Sequence, residues 1–292
     1  MKVLVSFIVG CFVSVAFAQA ESPSTNHRLS GNQSKFVMVA AHRGGYANDK
    51  QNQAPENSVA NVAVAIKQGY DVFETDIQRT ADGVFVIIHD ETIDRETNGT
   101  GMAKDMKWNE LKKLKKRYRD GSLSDQSVAT LEDLLVAGKG KILFKPDLKP
   151  GIIEHFDELA RLISRLEMAD QVFLRTGFKD APTIKQCFDN GTPRVEVMFK
   201  VKSEAQVRAI IRDFQPKTIQ VNLAAGDIVS RTEKAAIREA VANAVLVETH
   251  SDGEPSQWLE LAQLGVRMFH TSKPDLMLKF LNQNGWRDRG VE

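Results

Sequence analysis

Cysteine is scarce in this chain: among 292 residues there are two, Cys11 and Cys187. Cys11 falls in an apolar leader, so once the leader is removed no intramolecular disulfide can form and stability must come from packing. No histidine stands near Cys187 in sequence, so it reads as a small buried residue rather than a nucleophile. An excess of one charge sign is also missing. There are 39 Lys and Arg against 38 Asp and Glu, a balance that argues against general nucleic-acid binding. After the leader no apolar run approaches membrane-spanning length, which speaks against stable membrane insertion. No glycine-rich turn follows the first strand, which counts against an open, dinucleotide-binding sheet.

The leader begins Met1-Lys2 and continues VLVSFIVGCFVSVAFA, ending in the small-x-small patterns Ala16-Phe17-Ala18 and Ala18-Gln19-Ala20. This is the form of a secretory signal peptide, assigned to residues 1–20, and it predicts an exported protein, periplasmic or secreted. Ile8-Val9-Gly10-Cys11 offers an alternative, a lipoprotein anchored through Cys11. That cysteine is early for such a box, and Phe12-Val13 continues apolar. Residues 21–35 are polar and read as a flexible lead-in with a solvated His27. Residues 36–292 then supply enough chain for one large α/β domain.

Short β-branched runs alternate with helical patterns along that domain. Strands are expected at 36–41, 72–77, 84–88, 142–148, 171–175, 194–199, 217–222, 244–249 and 266–270. Helices are expected at 57–68, 107–117, 130–138, 152–167, 181–188, 203–213, 231–242, 255–264 and 273–283. This rhythm predicts parallel βαβ units closing into a (β/α)8 barrel, with an open doubly wound sheet as the runner-up. One break is evident. Between 72–77 and 84–88 only the turn Ala81-Asp82-Gly83 fits, so the second and third strands form a hairpin-like pair lying partly outside the barrel count. A charged insertion follows over 99–130, whose basic run Lys112–Arg119 reads as a solvated helix face, with contact to phosphate or lipid as the alternative.

Barrel enzymes carry their chemistry at the C-terminal ends of strands, and the strand ends here are unusually well stocked. The first ends in His42-Arg43-Gly44, the second carries Glu74 and Asp76, the third ends in His89-Asp90, and the fourth carries Asp147 with Lys149 two residues on. Residues i and i+2 of a strand share a face, so Glu74 and Asp76 are crowded like charges unless a cation lies between them. With Asp147 they make a hard oxygen set suited to Ca²⁺ or Mg²⁺. Arg43 and Lys149 are suited to phosphate, and His42 and His89 to proton transfer on either side of a scissile bond.

Taken in order, these residues resemble the glycerophosphodiester phosphodiesterase family. The resemblance is carried by His42-Arg43-Gly44, Pro55-Glu56-Asn57-Ser58, Glu74-x-Asp76, Thr80-x-Asp82-Gly83, Val86-x-x-His89-Asp90 and Asp94-Arg95-Glu96-Thr97-Asn98-Gly99. Further on, Thr130-Leu131-Glu132-Asp133-Leu134 and the stretch Gly265-Val266 through Pro274-Asp275 extend it over 36–283. The resemblance implies a barrel of the kind found in phosphatidylinositol-specific phospholipases C. It also implies hydrolysis of a small glycerophosphodiester to glycerol 3-phosphate and an alcohol, through a cyclic phosphate. On that pattern His42 and His89 are the acid/base pair, Glu74, Asp76 and Asp147 hold the metal, and Arg43, Lys149 and Glu56 serve the phosphate. The chain departs from it in having Asp147 where glutamate is usual, Glu248-Thr249-His250 in place of a W-T-x-N run, and Thr271-Ser272 in place of T-D. Loss of the tryptophan removes a wall for the head group. Competing expectations are a C- or D-type phospholipase acting on intact lipid or lysolipid, and a phosphate-binding barrel without activity.

Overall fold

The computed structural model describes residues 35–223 and 228–287; the leader, and the lead-in up to residue 34, lie outside them. The strands are β1 (Met38–Ala41), β2 (Val72–Arg79), β3 (Phe85–Ile87), β4 (Lys115–Arg117), β5 (Leu123–Ser127), β6 (Leu143–Leu148), β7 (Phe173–Gly177), β8 (Glu196–Val201), β9 (Thr218–Val221), β10 (Leu246–His250) and β11 (Val266–Thr271). The helices are α1 (Val59–Gln68), α2 (Trp108–Leu111), α3 (Leu131–Ala137), α4 (Phe156–Arg165), α5 (Ala181–Asp189), α6 (Glu204–Phe214), α7 (Arg231–Ala242), α8 (Pro255–Leu264) and α9 (Pro274–Gln283). The sheet order β1-β11-β10-β9-β8-β7-β6-β2, with β1 also paired to β2, closes an eight-stranded parallel barrel. β3 pairs antiparallel to β2 through Ile77↔Ile87 and Arg79↔Phe85 and stands outside the ring. The expected ninth strand is this one.

Alternation along each strand sorts the side chains into two cores. Val39, Phe73, Phe144, Leu174, Val197, Phe199, Ile219, Val247 and Phe269 pack outward with helix residues such as Leu159, Ile184, Val207, Ile237 and Trp258. Their neighbours in sequence, Met38, Val72, Leu143, Phe173, Met198, Leu246 and Met268, form a second cluster that plugs the barrel interior. Each fully buried apolar side chain contributes roughly 1.5–3 kcal/mol. The helices begin where the sequence supplies caps. Ser58, Thr130, Ser203 and Ser230 each accept a backbone N–H from the first turn of α1, α3, α6 and α7, each cap contributing about 1 kcal/mol.

The insertion departs from expectation. Only Trp108–Leu111 of the predicted helix 107–117 is helical; Lys115–Arg117 pairs antiparallel with Leu123–Ser127 around Gly121, at φ 84°. The leucines at 111 and 114 mimic helical spacing, but a tertiary interaction decides. Lys116 is fully buried with Nζ 3.3 Å from the equally buried Glu96, and the hairpin bridges to the 89–99 loop through Thr97↔Lys116. The basic run is therefore no solvated helix face. Lys116 and Arg119 turn inward onto carboxylates.

One glycine fixes the loop that leaves β1. Gly44 has φ +79°, and a Cβ there would lie 2.2 Å from Phe73 Cε2 and 2.7 Å from Asn61 Nδ2. Gly44→Ala is expected to cost about 2–4 kcal/mol, the sum of left-handed strain and overpacking. A urea midpoint equal to that of the native protein would show that the loop yields more readily than this contact allows.

Candidate active site

Along most strands the apolar interior gives way to polar residues two positions further on; on β1 Ala40 intervenes before His42, and β9 starts polar at Thr218. The inward series run Met38–Ala40–His42, Val72–Glu74–Asp76, Leu143–Lys145–Asp147–Lys149, Phe173–Arg175–Gly177, Met198–Lys200, Thr218–Gln220–Asn222, Leu246–Glu248–His250 and Met268–His270–Ser272. The chemistry thus collects at the C-terminal end of the barrel because the period-2 alternation that fills the bottom continues upward with charge.

Glu74, Asp76 and Asp147 each place a carboxylate oxygen within 4.8 Å of the others. The shorter side chain at 147 costs no reach, because Asp147 stands in register with Asp76 across β6 and β2. Every acid is held from behind. Glu74 Oε2 accepts Arg43 N–H at 2.8 Å, Asp76 Oδ2 accepts Asn57 Nδ2 at 3.1 Å, and Asp147 Oδ2 pairs with Arg175 at 2.7 Å. Burial raises the pKa of Glu74, but His42, Lys145, Arg175 and the Arg43 amide outweigh it and keep the acid charged. Three hard oxygen donors fixed by such contacts fit a divalent cation of the Ca²⁺ or Mg²⁺ type. Lys149 reaches Asp76 Oδ1 at 2.9 Å, and Arg43 lies 3.7 Å from Asp76 Oδ2, so the phosphate-suited cations border the same acids.

The elements that pair with β2 deliver the two histidines. His42 follows β1, with Nδ1 2.9 Å from Ser272 Oγ; burial is the main cause of its lowered pKa. His89 follows β3 and sets Nδ1 2.6 Å from Asp90 Oδ1. A carboxylate only accepts, so Nδ1 carries the proton and Nε2 is left for chemistry. Arg95 fixes the other oxygen of Asp90 at 2.6 Å. Burial raises the pKa of Asp90, but hydrogen bonds from Arg95 and His89 bring it to about 2. Glu56 is 2% exposed, and its carboxylate takes Arg43 at 2.9 Å, Arg95 at 2.7 Å and Arg119 at 2.8 Å. Burial would raise its pKa, yet these guanidiniums hold it at about 2. Glu56 is a hub that fixes three arginines. The left-handed backbone at Arg43 and Asn57, both at φ 51°, places the two loops that meet there; non-glycine residues adopt it only when their surroundings enforce it.

Residues 42–276 match the model of the glycerophosphoryl diester phosphodiesterase family. The chain belongs to that family. A glycerophosphodiester phosphodiesterase of Caldanaerobacter subterraneus subsp. tengcongensis is 39% identical over 119 residues, covering 40% of this chain and 47% of that one. The aligned part thus spans about half the length of that relative. A glycerophosphodiester phosphodiesterase of Bacillus subtilis is 25% identical over 260 residues, 83% of this chain and 86% of its own. In structure, a glycerophosphoryl diester phosphodiesterase from Parabacteroides distasonis superposes with a TM-score of 0.73 at 18% identity, covering 90% of this chain and 93% of that one. An Oleispira antarctica phosphodiesterase solved with its product sn-glycerol-3-phosphate superposes with a TM-score of 0.67, also at 18% identity, covering 86% and 99%. At that identity both attest the fold.

Within this barrel several buried residues carry contacts that no sequence motif marks. Lys145 and Glu248, both fully buried, pair with Nζ 2.7 Å from each carboxylate oxygen. Gln220 joins Glu248 at 2.7 Å and accepts Arg175 Nε at 2.8 Å, so the network ends on Asp147. Glu248 is thus an internal counter-ion to Lys145. His270 is buried with no hydrogen-bond partner on either ring nitrogen. It packs edge-on to His42 at 4.9 Å, stacks on His250 at 4.5 Å and sets Nε2 3.4 Å from Glu74 Oε2. For Lys145, Glu248, Arg175 and His270 the signal was present as interior parity: each sits two residues along its strand from a plugging apolar residue.

Proposed function

We propose that the chain hydrolyses glycerophosphodiesters to glycerol 3-phosphate and an alcohol. The observation that carries this reading is the convergence of two differently supported histidines, three clustered carboxylates and the cations Arg43 and Lys149 on one barrel end. His42, kept neutral by burial, takes the proton from the substrate's own neighbouring glycerol hydroxyl as that oxygen attacks phosphorus. His89, held by Asp90 through Nδ1, gives a proton to the departing alcohol as the P–O bond breaks, leaving a cyclic phosphate. In the second half His89 removes a proton from water, and His42 returns one to the glycerol oxygen as the ring opens. Arg43 and Lys149 hold the non-bridging oxygens, and Glu56 acts as the positioning residue that aims Arg43. A divalent cation held by Glu74, Asp76 and Asp147 supplies further neutralisation of phosphoryl charge when bound.

The test is turnover of glycerophosphocholine, glycerophosphoinositol and lysophospholipids by purified protein with and without EDTA or EGTA. Chelation is expected to lower the rate about 100-fold or more, as loss of several kcal/mol of charge stabilisation requires, with recovery on adding Ca²⁺ or Mg²⁺. Chelator-insensitive turnover would remove the metal from the reading. Turnover of lysolipid alone would shift the substrate class, and inactivity on every diester would leave a phosphate-binding barrel.

A further inference from the structure

A cavity of about 460 Å³ opens at the ends of β7, β8 and β9, lined by Gly177, Phe178, Lys179, Lys200, Lys202, Gln206 and Asn222. Its position follows from the barrel alternation. Lys200 lies two residues beyond the interior Met198 and stands in register with Gly177 and Gln220. Gly177 presents no side chain at the position above Arg175 and Asp147, and the space it leaves belongs to this cavity. None of the three lysine ammonium groups has an ion pair or hydrogen bond to a described residue, whereas Lys149 is paired with Asp76. The nearby carboxylate of Asp180 already accepts Thr176 Oγ1 at 2.6 Å. Lys200 is half-buried, and its pKa falls chiefly through burial and then through Arg175, with Asp147 and Lys149 also acting on it. It therefore shares the electrostatic environment of the reacting centre. A larger cavity, about 540 Å³, is different in charge: its lining includes Glu91 beside Arg79, Lys104 and His155, and Arg79 is paired with Glu158.

Resting on the proposed diesterase reading, we propose that Lys179, Lys200 and Lys202 form a subsite for the leaving alcohol, and that the preferred substrates carry a second phosphate on that alcohol. A trimethylammonium head group would meet three like charges there. A phosphate would meet three donors at an opening already next to Lys149 and Asp147.

Steady-state kcat/KM on glycerophosphocholine, glycerophosphoinositol and glycerophosphoinositol 4-phosphate tests this, together with calorimetric binding of inositol 4-phosphate and myo-inositol. The native enzyme is expected to favour the phosphorylated diester by roughly tenfold or more at low salt, with the preference shrinking as ionic strength rises. Lys200→Gln, and separately the exposed Lys202→Gln, are expected to reduce that ratio about 3- to 10-fold and to weaken inositol 4-phosphate binding alike. Equal kcat/KM on all three diesters would overturn the subsite while leaving the diesterase reading intact. Inactivity on all of them, with inositol 4-phosphate still bound through these lysines, would overturn the diesterase reading and keep the subsite. Failure of inositol 4-phosphate to bind more tightly than myo-inositol would overturn the subsite in either case.

Discussion

Replacing His42 or His89 with alanine is expected to lower kcat on a glycerophosphodiester by about 10²–10⁴-fold each, the usual contribution of a positioned proton-transfer group. The two variants should differ in pH dependence, because the histidines sit in different surroundings. His42 is desolvated among Arg43, His250 and the acids of β2, and its pKa lies below the ordinary value of 6.5. A base proposed for the first step must be neutral, so on that proposal the acidic limb of kcat/KM in the native protein is expected below pH 6.5. That limb should vanish from the residual activity of His42→Ala and persist in His89→Ala. Equal retention of full rate by either variant would remove that histidine from the acid/base pair. The same burial has a consequence for stability. His42 and His270 both have folded-state pKa values under 6.5, that of His270 well under it through burial and the nearby Lys145. The unfolded chain therefore binds more protons below that value, and stability is full above pH 6.5 and declines as the pH falls. Circular-dichroism melts from pH 8 to pH 5 should record this decline, and His270→Leu should flatten it.

Much of this site could be read from the chain because its residues lie at strand ends, where short β-branched runs stop at polar motifs. His42, Glu74, Asp76, His89, Asp147 and Lys149 were legible in that way, and all eight barrel strands fall within a few residues of their expected places. The hairpin of β2 and β3 was legible from its turn alone. What escaped depends on contacts between distant segments. Glu96 and Lys116 are twenty residues apart in a charge-rich stretch, and only their mutual burial turns a helix-like leucine pattern into a hairpin. Arg119 looks like surface charge until Glu56 and the Tyr46 ring, 4.4 Å from its guanidinium, are brought beneath it. Lys145 and Glu248 are separated by 103 residues, and no local pattern marks a lysine in a strand as the partner of one acid on the far side of a barrel. Propensity and periodicity report on neighbours in sequence; pairing across the barrel is a property of closure.

Lys145→Met alone is expected to destabilise the fold by about 3–5 kcal/mol, because it leaves the Glu248 carboxylate buried without its cation. For a domain of this size that corresponds to a fall in Tm of roughly 6–20 °C. Glu248→Met should cost a similar amount by stranding Lys145, whose ammonium is already disfavoured by burial and by Arg175, with Glu248 opposing. The double variant Lys145→Met/Glu248→Met should recover most of the loss, since an apolar pair of similar volume avoids the desolvation of two ions. Additive losses in the double variant would show that the two residues do not act as a pair. Function separates the double variant from the native chain even where stability does not. Without Glu248, Gln220 loses an acceptor at 2.7 Å and Arg175 loses the support that sets it 2.7 Å from Asp147. The stable double variant should therefore need more Ca²⁺ or Mg²⁺ for half-maximal activity, on the order of 10- to 100-fold, as expected when the support behind a metal ligand is removed. A metal requirement equal to the native value, in a variant that melts normally, would confine the Lys145–Glu248 pair to holding the barrel interior together.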